Sequence, residues 1–311
     1  MTKENLKLFT EYLEYERLKG HTEQGFIDIR SKTPRFIGYI EECELSLNDV
    51  RVKDASGFQG WLLAKKLKNT TVASYVIPAS SFCEFLRKKG IIFSNPFSMI
   101  RRVRPEKRIP RNIPKEPQME RLLGLMERFD ELCGLKACKS AYRAHVVAEL
   151  MYSTGMRSSE VAGLKVSDID FGKGIVYVNQ GKGGDSRIAW LSDYAKSVLR
   201  LYVTRMRKLL QSEWNERNGE LVFGVRWGYF GRAINRPLRK AARKLKLAGF
   251  TSHGFRHAVG YHLLRAGCNI RYIQEILGHK RLHNTEIYTK VDRDDLKNVL
   301  DKCHPRQWNH K

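Results

Sequence analysis

The sequence predicts a mainly α-helical protein of two domains, with a small β-hairpin or sheet confined to the second. Three observations lead there. Over the first hundred residues, apolar side chains recur at helical spacing. Five of the nine prolines (Pro96, Pro105, Pro110, Pro114 and Pro117) fall between residues 94 and 117 and break the chain in two. Between residues 174 and 191 the apolar pattern changes to alternation around a glycine-rich turn. A chain of 311 residues is long enough for each domain to bury a core of its own.

In chain order, Leu6, Phe9, Leu13 and Leu18 begin the first helix. Ile29, Phe36, Ile37 and Ile40 continue the pattern, as do Val72, Tyr75, Phe82, Phe85 and Leu86. Gly20, the stretch 45–48 and Lys68-Asn69 punctuate them, giving four or five helices in a compact unit over residues 1–100. Residues 101–115 (RRVRPEKRIPRNIPK) read as a basic, extended linker, because prolines at this density exclude a helix. The second domain, 116–311, resumes with helices over Met119–Phe129 and Ala141–Tyr152. Thr154-Gly155 stops the second of these. Ser158 or Ser159 is placed to cap a short helix running Glu160–Leu164. Ile175, Tyr177, Ile188 and Trp190 alternate on either side of Gln180-Gly-Lys-Gly-Gly-Asp185, the pattern of a hairpin. A long helix (Asp193–Gln211), a short apolar strand or turn (Leu221–Phe223), a very basic helix after Gly231, the stretch 253–288 and a tail helix near Asp292–Leu300 complete the chain.

The formal net charge is +24, and it is unevenly spread. Residues 1–100 carry 15 basic and 12 acidic side chains, 101–115 carry seven basic against Glu106, and 116–311 carry 35 basic and 20 acidic. A bias this one-signed calls for a polyanion, and nucleic acid is the commonest. Candidate phosphate contacts are Lys65 and Lys66 in the first domain, and Arg101, Arg102 and Arg104 on the linker. The basic helix adds Arg232, Arg236, Arg239, Lys240 and Arg243. A basic strap can lie along a duplex backbone, with the two domains closing around DNA as a clamp. No apolar run approaches the ~20 residues that span a bilayer. The polar, amphipathic start does not read as a signal peptide, so a cytoplasmic protein is expected. Six cysteines without a C-x-x-C pair argue against a disulfide framework and a structural zinc site.

Several residues carry candidate chemistry. Arg157, in TGMRSSEVAGLKVSDID, follows the helix-ending Gly155, and Glu160 three residues on can hold its guanidinium. Taken alone this is a surface ion pair. Lys182 sits at the tip of the glycine-rich turn and can act as a cation or proton donor, although by itself it is a turn lysine. His253 and Arg256 form an H-x-x-R pair on one helical face. His279 follows in Leu-Gly-His, and Tyr288 lies nine residues further on. Two imidazoles, guanidiniums and a phenol suit a phosphodiester: the cations neutralise a phosphorane and the phenol attacks it. His253, His257 and His262 also invite a metal. However, Gly254 stands where the zinc-protease pattern needs glutamate, and no acidic residue lies between Thr251 and Asn269. His257 and His262 therefore read as packing residues, and no metal or other cofactor is expected.

Together, TGMRSSEVAGLKVSDID, GKGGDSR, HGFRHAVGYHLLRAG and LGHKRLHNTEIYTKV resemble, in order, the signature regions of the tyrosine recombinases, the phage integrase and Xer-like family, over roughly residues 116–300. The resemblance implies a helical core-binding domain followed by a catalytic domain. Its catalytic set falls on Arg157, Lys182, His253, Arg256, His279 and Tyr288, with Glu160 in support. It further implies recombination through a 3′-phosphotyrosine without ATP or metal, on double-stranded DNA carrying specific sites. Self-association to a tetrameric synapse and nucleoid association go with it, and it leaves room for a second recombinase or an accessory DNA-bending protein. Departures are Asp185, where a basic residue is frequent, Ile188-Ala-Trp-Leu191 without a proline, and His283-Asn284, where small hydroxyl residues are common. Rival readings are a DNA-binding architectural protein without catalysis and a type IB topoisomerase-like enzyme. The intact catalytic set weighs against the first, and the small helical first domain against the second.

Overall fold

The structure, a computed structural model, describes residues 1–21, 23–104, 113–128, 138–179, 186–210, 219–224, 227–247 and 249–278. The chain divides into two units, Met1–Lys107 and Arg108–Lys311. The described residues are mainly helical, with one small antiparallel sheet in the second unit.

In the first unit, helices α1 (Lys3–Leu18), α2 (Glu23–Glu42), α3 (Val52–Ala64) and α4 (Asn69–Lys88) surround an aromatic core. Phe36 meets Phe58 and Tyr12 meets Phe82 edge to face, each with ring centroids 5.1 Å apart, the arrangement their quadrupoles favour. The Thr2 hydroxyl caps α1 by accepting the Asn5 N–H at 3.2 Å. Residues 101–104, expected to lie in a linker, are held on this unit. The Gln59 side-chain amide donates to the Arg101 carbonyl and accepts the Val103 N–H, each at 3.1 Å, as a neighbouring strand would. Arg102 also donates to the Ser80 hydroxyl at 3.2 Å.

The second unit contains α5 (Glu116–Glu127), α6 (Cys138–Thr154), α7 (Ser158–Ala162), strands β1 (Ile169–Asp170), β2 (Ile175–Val178) and β3 (Arg187–Trp190), then α8 (Asp193–Leu201), α9 (Arg207–Leu210), α10 (Trp227–Lys244), α11 (Ser252–Arg265) and α12 (Ile270–Leu277). The apolar α6 runs through the core and packs against α5, α8, α10 and α11. The sheet has order β1-β2-β3, with Val176 opposite Ala189 and Tyr177 opposite Ile188. Val176 and Ala189 face the core, whereas Tyr177, Ile188 and Trp190 are exposed. The long helix expected over Asp193–Gln211 is instead interrupted by a π-helical turn, Tyr202–Met206. The Arg207 N–H there reaches back to the Tyr202 carbonyl, and one extra residue resets the helix face between buried Tyr202 and Arg207. Arg207 then donates to the Leu221 and Val222 carbonyls at 3.0 and 3.2 Å, and Leu221 forms only an isolated bridge with Lys165.

Helix α10 is strongly two-sided. Phe230, Ile234, Leu238, Ala241 and Ala242 are buried, while Arg236, Arg239, Lys240 and Arg243 are exposed along the other face. Pro237 inside it has no N–H for the Ala233 carbonyl one turn back, and the Ser140 hydroxyl of α6 donates to that carbonyl at 3.1 Å. Among the described residues, no helix is long and apolar enough to cross a membrane.

Candidate active site

Helix α6 ends at Gly155, whose φ of +64° suits glycine and whose N–H closes on Met151 O at 2.9 Å. A Cβ at Gly155 would lie 2.6 Å from Cδ2 of buried Leu277, so that leucine would have to shift to admit one. The turn delivers Arg157 to the N-cap of α7, ahead of both Ser158 and Ser159, either of which the sequence predicts as its cap. The cap works through Glu160. Its carboxylate accepts the Arg157 backbone N–H at 2.8 Å and Arg157 Nη1 at 2.6 Å. The Ser158 hydroxyl turns away to meet that of Ser252 at 3.0 Å, joining α7 to the start of α11.

Arg187, at the start of β3, meets the same carboxylate from the other side. Its Nη1 and Nη2 donate to Glu160 Oε1 and Oε2 at 3.1 and 2.9 Å, and its Nε donates to the Ile276 carbonyl at 3.3 Å. The Glu160 side chain is only 7% exposed. Burial raises its pKa, but the bonds and charge of Arg187, and then the bonds of Arg157, outweigh that and hold it below the usual carboxylate range. Arg157 Nη2 donates to the Gly278 carbonyl at 3.1 Å. Gly278 ends α12 with a φ of +62°, and a Cβ there would meet Arg187 Cδ at 2.8 Å.

Helix α11 supplies the H-x-x-R pair. Arg256 is 2% exposed and donates from Nη1 to the Gly155 carbonyl at 2.7 Å, so the glycine that ends α6 also seats the second guanidinium. The His253 ring crosses that of His257 at 84°, with centroids 4.9 Å apart. Reduced hydration, then the charges of Arg256 and Arg157, lower the His253 pKa, which keeps its imidazole neutral near pH 7. Desolvation, then His253 and Arg256, take His257 down to about 4. His262 is 8% exposed and fully engaged. The Pro114 carbonyl takes its Nε2–H at 2.9 Å, leaving Nδ1 to accept the Tyr152 hydroxyl at 2.9 Å. It is a packing residue, as the sequence suggests.

The structure thus brings together Arg157, Glu160, His253 and Arg256, and sets the end of α12 against Arg157. Lys182, His279 and Tyr288 lie outside the described residues, as does the tail helix expected near Asp292–Leu300. Of the candidate phosphate contacts, Lys65, Lys66, Arg101, Arg102, Arg104, Arg236, Arg239, Lys240 and Arg243 are exposed, and Arg232 falls within α10. Lys65 places its ammonium 3.6 Å from the centroid of the Trp61 ring. Arg187 lies within GKGGDSR, yet the sequence assigns it no role. Its only signal is a basic residue opening a strand, and its partner lies 27 positions away. Among the described residues, no group of three or more His, Cys, Asp or Glu side chains is gathered as for a metal ion.

Residues 115–294 match the model of the phage integrase family. The tyrosine recombinase XerC of Listeria innocua is 30% identical over 302 residues, covering 96% of this chain and 97% of its own. XerC of Bacillus subtilis is 29% identical over 312 residues, covering 97% of each. Among solved structures, XerH site-specific recombinase bound to palindromic difH substrate aligns with a TM-score of 0.67 at 20% identity, over 89% of this chain and 79% of that one. A λ integrase dimer bound to a COC′ core site aligns with a TM-score of 0.65 at 18% identity, over 92% and 96%. At these identities the structural likeness speaks for the fold.

Proposed function

The chain belongs to the phage integrase family, the tyrosine recombinases, and from that premise we propose that it cuts and rejoins DNA at specific sites through a 3′-phosphotyrosine intermediate. The observation that carries this reading is that two guanidiniums held by separate helices, Arg157 on Glu160 and Arg256 on the Gly155 carbonyl, both lie near enough to His253 for their charges to lower its pKa. A guanidinium can give paired donors to the non-bridging oxygens of a phosphate, a geometry lysine cannot reproduce.

In the proposed reaction, Tyr288 Oη attacks the scissile phosphorus and the bond from phosphorus to the 5′-oxygen breaks. The phenol has an ordinary pKa of about 10, so at neutral pH it needs a proton acceptor and cationic neighbours. His253, neutral because of its surroundings, takes the phenolic proton. Lys182 gives a proton to the departing 5′-oxygen. Arg157, Arg256 and His279 bear the charge that develops on the phosphorane, and losing one such donor typically costs ~10²–10³ in rate. A phosphodiester is exchanged for a phosphotyrosine of similar energy. The 5′-hydroxyl of the partner strand reverses the step, so neither ATP nor a metal enters the scheme.

Double-stranded DNA carrying a recombination site is the proposed partner, with four protomers in the synapse and the cytoplasm as the location. Of the structures similar in fold, that of Tn1549 integrase is described as in complex with transposon right end DNA, that of XerH as bound to a palindromic difH substrate and that of λ integrase as bound to a COC′ core site. A nicked suicide duplex carrying the recombination site tests the reading. A covalent protein–DNA adduct that disappears in Tyr288→Phe is expected, and the absence of an adduct with the wild-type protein overturns it.

A further inference from the structure

Among the described residues, four side-chain and main-chain donors converge on the carboxylate of Glu160. Oε1 takes Arg157 Nη1 and Arg187 Nη1, and Oε2 takes the Arg157 N–H and Arg187 Nη2. The remaining arms of both arginines reach the end of α12, Arg157 at the Gly278 carbonyl and Arg187 at the Ile276 carbonyl. The bonds form a closed ring through α7, β3 and the last turn of α12. Glycine at 278 lets the Arg187 stem lie against the main chain.

Charge gives the ring a second consequence. A buried carboxylate paired with Arg157 alone would cancel the guanidinium that a phosphate needs. Arg187 is 10% exposed and lies parallel to the carboxylate through two bonds, so the trio carries one net positive charge. Arg157 is 34% exposed and is the member of the trio open to a ligand.

We propose that Arg187 is a positioning residue for the strand-cleavage step, neutralising Glu160 so that Glu160 can aim Arg157 without extinguishing its charge. The inference rests on the recombinase reading above and adds a residue to it. Removing Arg187 takes one positive charge and two hydrogen bonds from the Glu160 carboxylate that Arg157 also holds, so phosphorane stabilisation falls. Ground-state DNA binding, spread over many surface cations, stays nearly constant.

Single-turnover adduct formation on the suicide duplex, at saturating protein, provides the test. Arg187→Gln is expected to slow cleavage by about 10–100-fold, short of losing a phosphate donor outright, with the half-saturating protein concentration changed by less than about twofold. Arg187→Lys, keeping the charge but not the fork, falls between. Removing the anion as well, in Glu160→Gln/Arg187→Gln, relieves the defect, so the double variant cleaves no more slowly than Arg187→Gln. A duplex whose 5′-bridging oxygen is sulfur separates this route from one through Lys182. A thiolate leaves without a proton donor, so it gives Arg187→Gln no selective gain over wild type. Wild-type cleavage by Arg187→Gln, multiplicative losses in the double variant, or recovery on the sulfur duplex each overturn the inference. If Arg187→Gln does not fold, Arg187→Lys carries the same comparisons. Absence of an adduct from the wild-type protein itself removes the recombinase reading, whereas a normal wild type beside an unimpaired Arg187→Gln removes this inference alone.

Discussion

Two largely buried carboxylates in the second unit are driven in opposite directions by their neighbours. Glu160 is held ionised by two arginines, whereas burial and then the charge of Glu127 push Glu149 up to about 7. A raised carboxylate pKa means that the folded state binds a proton the unfolded chain has already released. The resulting stability is present below about 4.5 and is lost as pH rises through about 7. Glu149→Gln should therefore match wild type near pH 4.5 and be more stable at pH 8, on the order of 1–3 kcal/mol. Thermal denaturation at the two pH values checks it, and an equal difference at both would refute the assignment. Gly155 invites a second substitution. Alanine there combines a φ of +64° with a Cβ 2.6 Å from Leu277, and displaces the carbonyl that seats Arg256. Gly155→Ala should cost about 1–3 kcal/mol and slow cleavage too; an unchanged melting temperature would count against it. Arg157, Glu160, Gly155 and the H-x-x-R pair were legible in the sequence because their relations are local, three residues or a helix end apart. The Arg187–Glu160 pairing was not, because it depends on how β3 docks against α7 and no spacing records that.

Among the elements, α10 shows how a helix accommodates a residue that should break it. Pro237 withholds the donor that Ala233 expects, and the neighbouring helix provides one from Ser140. Ser140→Ala should leave the carbonyl short of a partner and cost about 1 kcal/mol. In Ser140→Ala/Pro237→Ala the helix can make its own bond again, so most of that loss should return. Additive losses in denaturant titrations would show that the serine acts elsewhere. Helix identities were largely readable here, since α10 declares itself by apolar residues on one face and basic residues on the other. The exceptions have physical causes. Strand β1 is two residues long, too short to establish a period, and exists only because β2 pairs with it. The π-helical turn at Tyr202–Met206 keeps helical periodicity on both sides and changes only the phase between them.

For the molecule as a whole, the informative quantity is where the charge lies. The basic excess is small over residues 1–100 and large from 101 onward. The chain nevertheless divides between Lys107 and Arg108, and residues 101–104 are fastened to the first unit by Gln59. A proline count could mark that a boundary lay nearby. It could not show that a glutamine amide 42 residues upstream secures part of it. That fastening keeps Arg101, Arg102 and Arg104 exposed on a defined surface rather than on a free strap. If these arginines and the exposed face of α10 neutralise phosphates, binding to duplex DNA must release counterions. With about six to ten phosphates neutralised per protomer, log affinity should fall against log salt with a slope of roughly −5 to −9. Arg236→Ala, Arg239→Ala and Arg243→Ala together should flatten that slope by about 0.9 for each phosphate left unneutralised, by about 3 at most. The same triple change leaves the Arg157–Glu160–Arg187 ring untouched, so cleavage at saturating protein should remain near wild type while affinity drops. Fluorescence anisotropy across a salt series measures the slope, and single-turnover adduct formation measures cleavage. A triple variant with an unaltered slope would place the DNA on another face of the second unit.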